Sequence, residues 1–303
     1  MDVDGILNID KPQGITSAAV VRRLKYASKS KRVGHGGTLD PQATGVLPIC
    51  FGQGTKIAQY LLDCQKEYEA IIQLGIETDT YDSTGKIVKT QNIPQLSQFD
   101  LTETVKKFQG EFDQLPPMYS ALKFKGKRFY ELARLGIEVP RKPRQVVVHE
   151  INVNEWSSPL LTIRVTCGSG FYVRSLAHDI GQILGSGAHL KSLIRLRSGP
   201  FRIQQSLELN YAEEQIDSGN LRLDPMDVAL SGMDVLVLGK KEEDDIANGR
   251  GIVTAGYVAP PGKTIKCRAY SQDGKFLAIM ISQSDSSQWR PIKVLGITYG
   301  EST

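Results

Sequence analysis

Two alternating runs of residues near the middle of the chain constrain its fold most. The runs VVVHEINVNEW and LLTIRVTCG, at residues 146–156 and 160–168, are separated by SSP alone. Alternation of apolar and polar residues is typical of half-buried strands, and so short a link predicts a β-hairpin. Other strand-like runs also fail to alternate strictly with helical segments, among them GILNID, GVLPICFG and KEYEAIIQLG. This order argues against a doubly wound sheet and predicts an α+β fold with mainly antiparallel strands and flanking helices.

Single residues refine this prediction. Thr16 or Ser17 can cap a helix that ends near Ser28. Pro48 interrupts the apolar run GVLPICFG, which favours an edge strand or a bend at that point, because proline has no N–H to donate to a neighbouring strand. The segment FYVRSLAHDIGQILG changes from a strand-like to a helical period and ends at a glycine.

The composition changes near residues 221–228. Beyond that point four short strand-like runs, MDVLVLG, TIKCRAYS, FLAIMIS and PIKVLGIT, are separated by glycine, proline and polar turns. A segment of about 75 residues is large enough for a small domain. We therefore predict a first domain over residues 1–225 and a small β-barrel over residues 229–303.

The composition also excludes several classes of protein. Of the 303 residues, 40% are hydrophobic and 23% are charged, which is the balance of an ordinary globular protein. There is no apolar run of about 18 residues to predict a transmembrane helix. The start, MDVDGILNID, lacks the basic and apolar regions of a signal peptide. The four cysteines form no C-x-x-C pair, so we predict reduced thiols, no zinc site and a cytosolic location.

Basic residues are concentrated in two segments, although the net charge is only +4. Residues 123–144 contain eight basic and two acidic residues, a local net charge of +6, and the run Arg22–Arg32 contains six basic residues and no acid. Concentrated charge on a modest total points to a local site for a polyanion. Each run taken alone is equally compatible with a solvated helix face.

A glycine-rich loop, GHGGTLDP at residues 34–41, carries one carboxylate, Asp40. The glycines remove side-chain bulk where a large partner must approach the backbone. His35 could donate to a phosphate or stack on a base. On spacing alone, a plain surface loop with a capping aspartate remains the alternative.

Familiar motifs do not account for this loop. A dinucleotide-binding G-x-G-x-x-G would need glycine where Leu39 stands, and a strand does not precede it. The segment FGQGTK lacks the spacing of a P-loop, and no G-x-S-x-G elbow occurs. His178, in AHDI, has no partner histidines at metal-ligand spacing, so we predict that it is structural.

Five segments together resemble the TruB branch of the pseudouridine synthases, the tRNA pseudouridine-55 synthases. They are NIDKPQGITS, GHGGTLDPQATGVLPICFGQGTK, KEYEAIIQLGIETDTYDSTGKIV, PPMYSALKFKGKRFYELARLGIEVPRKPR and CGSGFYVRSLAHDIGQILGSGAHLKSLIRLRSGPF. They occur in the family's order over about residues 5–201. The region after residue 228 more weakly resembles the family's PUA-like C-terminal domain.

The resemblance implies a reaction and a set of site residues. Uridine becomes pseudouridine with no cofactor and no metal, because no atom is gained or lost and nothing is oxidised. Asp40 corresponds to the catalytic carboxylate, and Arg174 to a guanidinium that lowers the pKa of that carboxyl. Tyr68 would stack on the uracil and assist proton transfer at C5, and Leu193 would form the opposite wall. Tyr172 would also contact the substrate, and on an extended strand its side chain would project the same way as that of Arg174. The remaining implied contacts are His35 and Lys56, near the backbone of the RNA.

The basic segment resembles the family's RNA-gripping insertion, over about residues 116–144. Its phosphate contacts would come from Lys123, Lys125, Lys127, Arg128, Arg141 and Lys142. The implied partner is the T-stem loop of tRNA, with the acceptor stem as a further contact of the C-terminal domain. We expect a monomer that needs no guide RNA and associates with no membrane. The order of catalytic steps, through a bond to the base or an unsaturated sugar, stays open.

Three other functions compete with this one. An RNA-binding chaperone would fold tRNA without chemistry, although intact Asp40, Tyr68 and Arg174 argue against lost chemistry. A guide-RNA-dependent synthase would carry extra partner-binding segments and basic tails, and this sequence ends in GITYGEST, which favours the stand-alone enzyme. A phosphate-loop enzyme is disfavoured by the motif spacing.

Overall fold

The computed structural model describes residues 3–120, 123–124, 126–137, 139–254, 264–282 and 287–295, and only the backbone of Lys123, Arg128, Tyr130 and Arg134. Lys125 therefore lies outside the described residues. The α-helices are α1 Ser17–Ser28, α2 Ala58–Asp63, α3 Gln98–Lys106, α4 Phe129–Arg134, α5 Val173–Ile183, α6 Leu209–Asp217 and α7 Lys240–Ala247. The strands are β1 Gly5–Lys11, β2 Val33–His35, β3 Thr44–Phe51, β4 Lys66–Leu74, β5 Ile76–Thr78, β6 Ile87–Thr90, β7 Gly110–Gln114, β8 Lys123–Phe124, β9 Lys127–Arg128, β10 Arg144–Ser157, β11 Leu160–Cys167, β12 Ala188–Ser198, β13 Phe201–Arg202, β14 Leu207–Glu208, β15 Asp234–Leu238, β16 Ile252–Val253, β17 Lys266–Ser271, β18 Phe276–Ser282 and β19 Gln288–Val294.

A ten-stranded sheet forms the centre of the first part of the chain. Its order is β14-β1-β3-β12-β4-β11-β10-β7, with β2 added to β3 and β13 added to β12. Only the pairs β1–β14 and β3–β12 are parallel in this sheet as described. The predicted hairpin is confirmed as β10–β11, in which Ser157 pairs with Leu160. The mainly antiparallel α+β class is likewise confirmed.

Strands β1 and β3 are buried on both faces. Leu7, Ile9 and Leu47 belong to an apolar cluster covered by α1 and α6, whereas the alternate residues Ile6 and Val46 belong to a second cluster on the other face. That second cluster also contains side chains from the C-terminal region, among them Ile279 and Leu295. Because successive side chains of a strand point to opposite faces, both faces of this part of the sheet must be apolar.

Pro48 lies in the interior of the sheet, so the first of the two predicted alternatives, an edge strand rather than a bend, is wrong. It pairs with Asn8 of β1, while on its other side β3 contacts β12 through Thr44 and Gly45 and contacts β2 from Ile49 onward. Pro48 stands between these two paired segments, where its carbonyl accepts a hydrogen bond from Gly36 N at 2.8 Å. A proline is tolerated there because no strand requires its missing N–H.

Helix α1 begins as its sequence predicts, and α3 also begins at a capping residue. Thr16 Oγ1 accepts a hydrogen bond from Ala19 N at 3.0 Å and so caps α1. Ser97 and Asp100 form a reciprocal capping box at the start of α3. Helices α3 and α5 pack with β4, β10, β11 and β12 around a third apolar cluster.

A second sheet of five strands follows, in the order β15-β17-β18-β19-β16. In the part of the chain that the structure describes, its outer strands β15 and β16 do not pair with each other, so the described strands form a half-barrel sheet of the predicted domain. Helix α7, which connects these two strands, packs against both and against β19. No helix in the described ranges is both long and apolar enough to cross a bilayer.

The basic insertion leaves the first sheet between two neighbouring strands. Gln114 at the end of β7 pairs directly with Arg144 at the start of β10. Between them, β8 and β9 pair with each other and are followed by α4. Phe129, Leu132 and Val139 form a small apolar cluster of their own.

Candidate active site

A pocket of about 310 Å³ opens where the glycine loop, β4, β12 and the start of α5 meet. Its lining includes Asp40, Tyr68, Tyr172, Arg174 and Leu193. Five of the residues predicted from the sequence therefore share one cavity, although they are up to 153 positions apart in the chain. The volume lies at the small end of the range typical of ligand sites.

Contacts with α1 and α2 fix the glycine loop that carries Asp40. The hydroxyl of Ser17, at the start of α1, accepts a hydrogen bond from Leu39 N at 2.9 Å and lies 3.0 Å from Leu39 O. Gly36 lies so close to α2 that a Cβ atom there would stand 2.6 Å from Leu61 Cβ. Leu39, the residue before Asp40, is thus held by α1. The loop needs a glycine at Gly36, where it passes α2.

Arg174 joins two carboxylates. Its Nε lies 3.0 Å from Asp40 Oδ2, and its Nη1 lies 3.5 Å from Asp82 Oδ2. Its Nη2 donates to the carbonyl of Tyr119 at 2.8 Å. The side chain of Arg174 is only 8% exposed, whereas that of Asp40 is 43% exposed. The guanidinium is therefore fixed within the wall, and the Asp40 carboxylate faces the open pocket.

Asp82, which the sequence analysis did not single out, is itself held firmly. Its Oδ1 accepts hydrogen bonds from Thr80 Oγ1 at 2.8 Å, Thr84 Oγ1 at 2.6 Å and Thr84 N at 2.9 Å. Its Oδ2 remains for Arg174. This arrangement fixes the position of Arg174 from the side opposite Asp40.

The pKa of Asp40 is raised above its ordinary value. Desolvation by the surrounding pocket is the main cause, the nearby Asp82 charge adds to it, and the charges of Arg174 and Lys11 oppose it. Arg174 thus lowers the pKa of the carboxyl, as predicted, but desolvation outweighs this effect. A carboxylate whose conjugate acid has a raised pKa is a stronger base, which suits it to form a bond or to accept a proton.

Tyr68 and Leu193 lie on neighbouring strands. Tyr68 of β4 pairs with Arg195 of β12, and Leu193 pairs with Ala70. Burial raises the pKa of the Tyr68 hydroxyl, and the nearby charge of Arg195 partly opposes this effect. The two residues place one aromatic and one aliphatic surface in the same pocket.

Tyr172 and Arg174 were expected to lie together on an extended strand, but they do not. Tyr172 is the extended residue before α5, and Arg174 is in its first turn. The amide of Gln114 fixes this junction, because its Nε2 donates to Tyr172 O at 3.0 Å and its Oε1 accepts from Tyr172 N at 2.8 Å. Both side chains still reach the pocket, since the pocket lies at the start of the helix.

Comparison with known proteins agrees with these features. Residues 24–173 match the family model of the TruB family pseudouridylate synthase (N terminal domain), and residues 174–234 match the tRNA pseudouridylate synthase B C-terminal domain. A protein from Clostridium kluyveri named tRNA pseudouridine synthase B is 43% identical over 279 residues, covering 91% of this chain and 95% of that protein. This chain belongs to the TruB family.

Other TruB relatives extend over most of the chain. A tRNA pseudouridine synthase B from Dehalococcoides mccartyi is 42% identical over 294 residues, covering 96% of each protein. One from Francisella philomiragia is 51% identical over 211 residues, covering 69% of this chain and 70% of that protein. Among solved structures, a Cbf5-Nop10-Gar1 complex contains a chain with a TM-score of 0.73 and 26% identity, covering 97% of this chain and 84% of that one.

The family assignment confirms the resemblance and establishes the reaction as the isomerisation of uridine to pseudouridine. In this reaction the bond between ribose C1′ and uracil N1 breaks, the uracil turns, and C5 bonds to C1′. The proton on C5 is lost and N1 gains one, so the composition of the nucleotide does not change.

Three buried cations of this TruB-family site were not predicted. Arg195 is 1% exposed and donates to the carbonyls of Val46 at 2.6 Å and Gly37 at 3.1 Å. Lys11 donates to three carbonyls, those of Pro12, Ile15 and Pro41, and Lys66 donates to those of Leu61, Leu62 and Cys64. Burial lowers the pKa of each lysine to about 8. Arginine or lysine at an inward position of a strand is the signal that could have revealed all three.

Two residues predicted to contact substrate lie outside the pocket lining. His35 Nδ1 accepts a hydrogen bond from Gly37 N at 3.4 Å, and burial lowers the pKa of its ring. Lys56 Nζ donates to the carbonyl of Val294 in β19 at 2.8 Å. His35 therefore supports the turn of the glycine loop, and Lys56 joins the two sheets.

Among the insertion residues that were predicted to contact phosphates, one stabilises the fold and others are exposed. Arg141 Nη1 donates to the carbonyl of Pro116 at 3.1 Å and so closes the base of the insertion. Lys127 and Lys142 are exposed. Only backbone positions are described for Lys123 and Arg128, in β8 and β9.

The structural interpretation of His178 is consistent with its position. Its ring stacks on that of Tyr81, with 4.1 Å between centroids. Within the described ranges, no group of three or more His, Cys, Asp or Glu side chains is close enough to hold a metal ion.

Proposed function

We propose that this TruB-family enzyme isomerises the T-loop uridine of tRNA, uridine-55, with Asp40 as the reacting carboxylate. The observation that carries this proposal is the 3.0 Å pairing of Asp40 with Arg174 inside a pocket also lined by Tyr68. The tRNA substrate comes from the names of the relatives that match most of the chain.

The size and lining of the pocket support extrusion of the target nucleotide. Asp40, Tyr68 and Leu193 line a cavity of about 310 Å³ that can receive a single base. Extruding a base costs a few kcal/mol. Stacking on an aromatic ring such as Tyr68 returns about 1–3 kcal/mol, so the cavity can hold a flipped uridine at little net cost.

Each pocket residue has a distinct part in the proposed chemistry. The Asp40 carboxylate reacts at the nucleotide as the glycosidic bond breaks and its electron pair leaves with the uracil. Arg174 stabilises the charge on that carboxylate before and after the step. Burial raises the pKa of Tyr68, so its hydroxyl remains protonated at neutral pH. Any transfer of the C5 proton through Tyr68 therefore depends on Arg195 to stabilise the phenolate.

The partners follow from the same reasoning. The basic insertion grips the T-stem through phosphate contacts, for which exposed Lys127 and Lys142 are suited. The C-terminal five-stranded sheet acts as a PUA-like module on the acceptor stem. The enzyme works without guide RNA, since its relatives at 42–43% identity are named as tRNA enzymes. We expect it to act as a monomer. A cytosolic location stays a prediction.

Tritium release from uridine C5 tests the reaction and the role of Asp40 together. An unmodified T-stem-loop RNA labelled at C5 is incubated with the wild type and with Asp40→Asn, and RNA affinity is measured for both. We expect release by the wild type alone and similar binding by both, since the substitution preserves shape but removes the charge. Binding without release by the wild type would point to an RNA chaperone, and release by Asp40→Asn at the wild-type rate would remove Asp40 from the chemistry.

A further inference from the structure

The second basic run forms a surface at the far end of α1 that the pocket does not use. Arg22, Lys25, Tyr26 and Lys29 are all exposed there. Tyr26 keeps 87% of its surface open, the largest fraction of any exposed large hydrophobic or aromatic side chain among the described residues. Together with Ala27, Ser30 and Asp217 they line a groove of about 600 Å³.

The cations of this surface are not engaged in holding the fold together. Arg23, on the neighbouring side of the helix, forms an ion pair with Glu213 and donates to Asn210, both on α6. Arg22, Lys25 and Lys29 form no ion pair with any described residue. Asp217 is the one acid in the groove lining, so the three cations leave it with a net positive charge.

The position of the surface separates it from the chemistry. Ser17, at the start of α1, is hydrogen-bonded to Leu39, the residue before Asp40. Tyr26 lies nine residues further along the same helix, which is about 14 Å along its axis. A ligand that reached both places would have to extend well beyond a single flipped nucleotide.

We propose that this end of α1 is a second RNA-binding surface, which holds a part of the substrate outside the stem-loop that enters the pocket. Arg22, Lys25 and Lys29 contact phosphates, and Tyr26 stacks on an unpaired base. Exposed aromatic rings set among cations are how proteins bind single-stranded RNA without reading its sequence. The proposal rests on the proposed function for the identity of the substrate as RNA.

Two RNAs of different length test this surface. The affinities of an unmodified T-stem-loop and of a full-length unmodified tRNA are measured at several salt concentrations. The variants are Tyr26→Ala, Tyr26→Phe and the triple change of Arg22, Lys25 and Lys29 to Ala. Matched controls are Tyr211→Ala, at another exposed tyrosine, and a triple change of Lys86, Lys89 and Lys107 to Ala, which removes the same charge elsewhere.

We expect Tyr26→Ala to weaken binding of the full-length tRNA about fivefold or more, and Tyr26→Phe, which keeps the ring, to bind normally. The basic triple variant should flatten the slope of log affinity against log salt by about 2. Affinity for the stem-loop and tritium release from it should stay at wild-type values, as should both properties of the controls.

Three results would overturn this proposal. They are wild-type binding of full-length tRNA by Tyr26→Ala and the triple variant, an equal loss on the stem-loop, and an equal loss in the charge control. Absence of tritium release by the wild type would instead contradict the proposed function. The affinities can still be read in that case, so the two failures are distinguishable.

Discussion

At the scale of single residues, the site is organised by one guanidinium between two carboxylates. Arg174 lies 3.0 Å from Asp40 and 3.5 Å from Asp82. The two acids differ in surroundings, because Asp82 accepts three hydrogen bonds from threonines whereas Asp40 faces the cavity. One acid can therefore react while the other fixes the cation that serves it.

The raised pKa of Asp40 predicts a pH dependence. Because a carboxyl with a raised pKa ionises at higher pH, the rate of a single turnover should fall on acidification at a pH above the ordinary range for aspartate. Asp82→Asn removes a charge that raises the pKa of Asp40, so the acid limb should move to lower pH. The plateau rate should fall about 10²-fold, since Arg174 loses a fixed partner.

Asp79→Asn provides the control for this profile. Asp79 lies in the same loop and accepts a hydrogen bond from Lys86 N rather than from Arg174. The acid limb of the pH–rate profile of Asp79→Asn should coincide with that of the wild type. An unshifted limb in Asp82→Asn would show that Asp82 does not act on Asp40 through charge.

The sequence was most informative about the residues that line the pocket. Asp40, Tyr68 and Arg174 were identified because each lies in a segment that resembles the family's motifs. Asp82 and Arg195 lie in those segments too but were not singled out, because their roles depend on contacts with Arg174 and with the carbonyls of Val46 and Gly37 that form only on folding. The net direction of the Asp40 pKa also depends on desolvation, which charge partners alone do not reveal.

At the scale of elements, β3 and β12 approach each other unusually closely at Gly45. A Cβ atom there would stand 2.3 Å from the carbonyl oxygen of Arg195, and the φ angle of Gly45 is +98°. Gly185 also has a positive φ, +71°, but a Cβ atom there would meet nothing within 4 Å. Substituting each glycine in turn therefore distinguishes two free-energy costs. A left-handed backbone affects both positions, whereas close packing affects Gly45 alone.

We predict that Gly45→Ala destabilises the protein by more than Gly185→Ala. The second change should cost about 1–2 kcal/mol, the usual penalty for a left-handed residue with a side chain. The first adds a clash with backbone and should also displace Arg195, and hence Tyr68. Denaturant unfolding measures both changes, and equal losses would contradict the close approach of β3 and β12.

Elements with a clear apolar pattern were predicted well, and the others were not. The β10–β11 hairpin and α1 follow directly from alternation and capping. Helix α7 was missed because its sequence, KKEEDDIA, buries only Ile246 and therefore has no apolar period. The extended backbone was expected to continue through Arg174, but Gln114 of β7 fixes only Tyr172 in an extended conformation, and α5 begins at the next residue.

At the scale of the whole molecule, the two sheets share a core. Ile6, Val46 and Cys50 of the first sheet belong to the same cluster as Ile279 and Leu295 of the C-terminal region. Lys56 adds a hydrogen bond to the carbonyl of Val294. The change in composition near residue 221 predicted a second unit, but nothing in the sequence indicated that its packing would continue into β1 and β3.

Lys56→Met tests this connection. Loss of a charged donor to Val294 should lower the free energy of unfolding by about 1.5 kcal/mol and speed hydrogen exchange in β18 and β19. Lys275→Met, at an exposed lysine in the turn between β17 and β18, should leave both unchanged. Normal exchange combined with weakened RNA binding would instead assign Lys56 to the RNA contact that the sequence predicted.

The pairing of Gln114 with Arg144 makes the insertion an interchangeable module. The sheet closes beneath it, so its length can vary without a change of strand register, and loop length alone costs little free energy. The first residues of the insertion are an exception, since the carbonyls of Leu115 and Tyr119 accept hydrogen bonds from Ser175 and Arg174. A graft from a homologue should therefore begin after residue 120 and end before Arg141, which donates to the carbonyl of Pro116. New RNA preferences could then be acquired without rebuilding the catalytic centre.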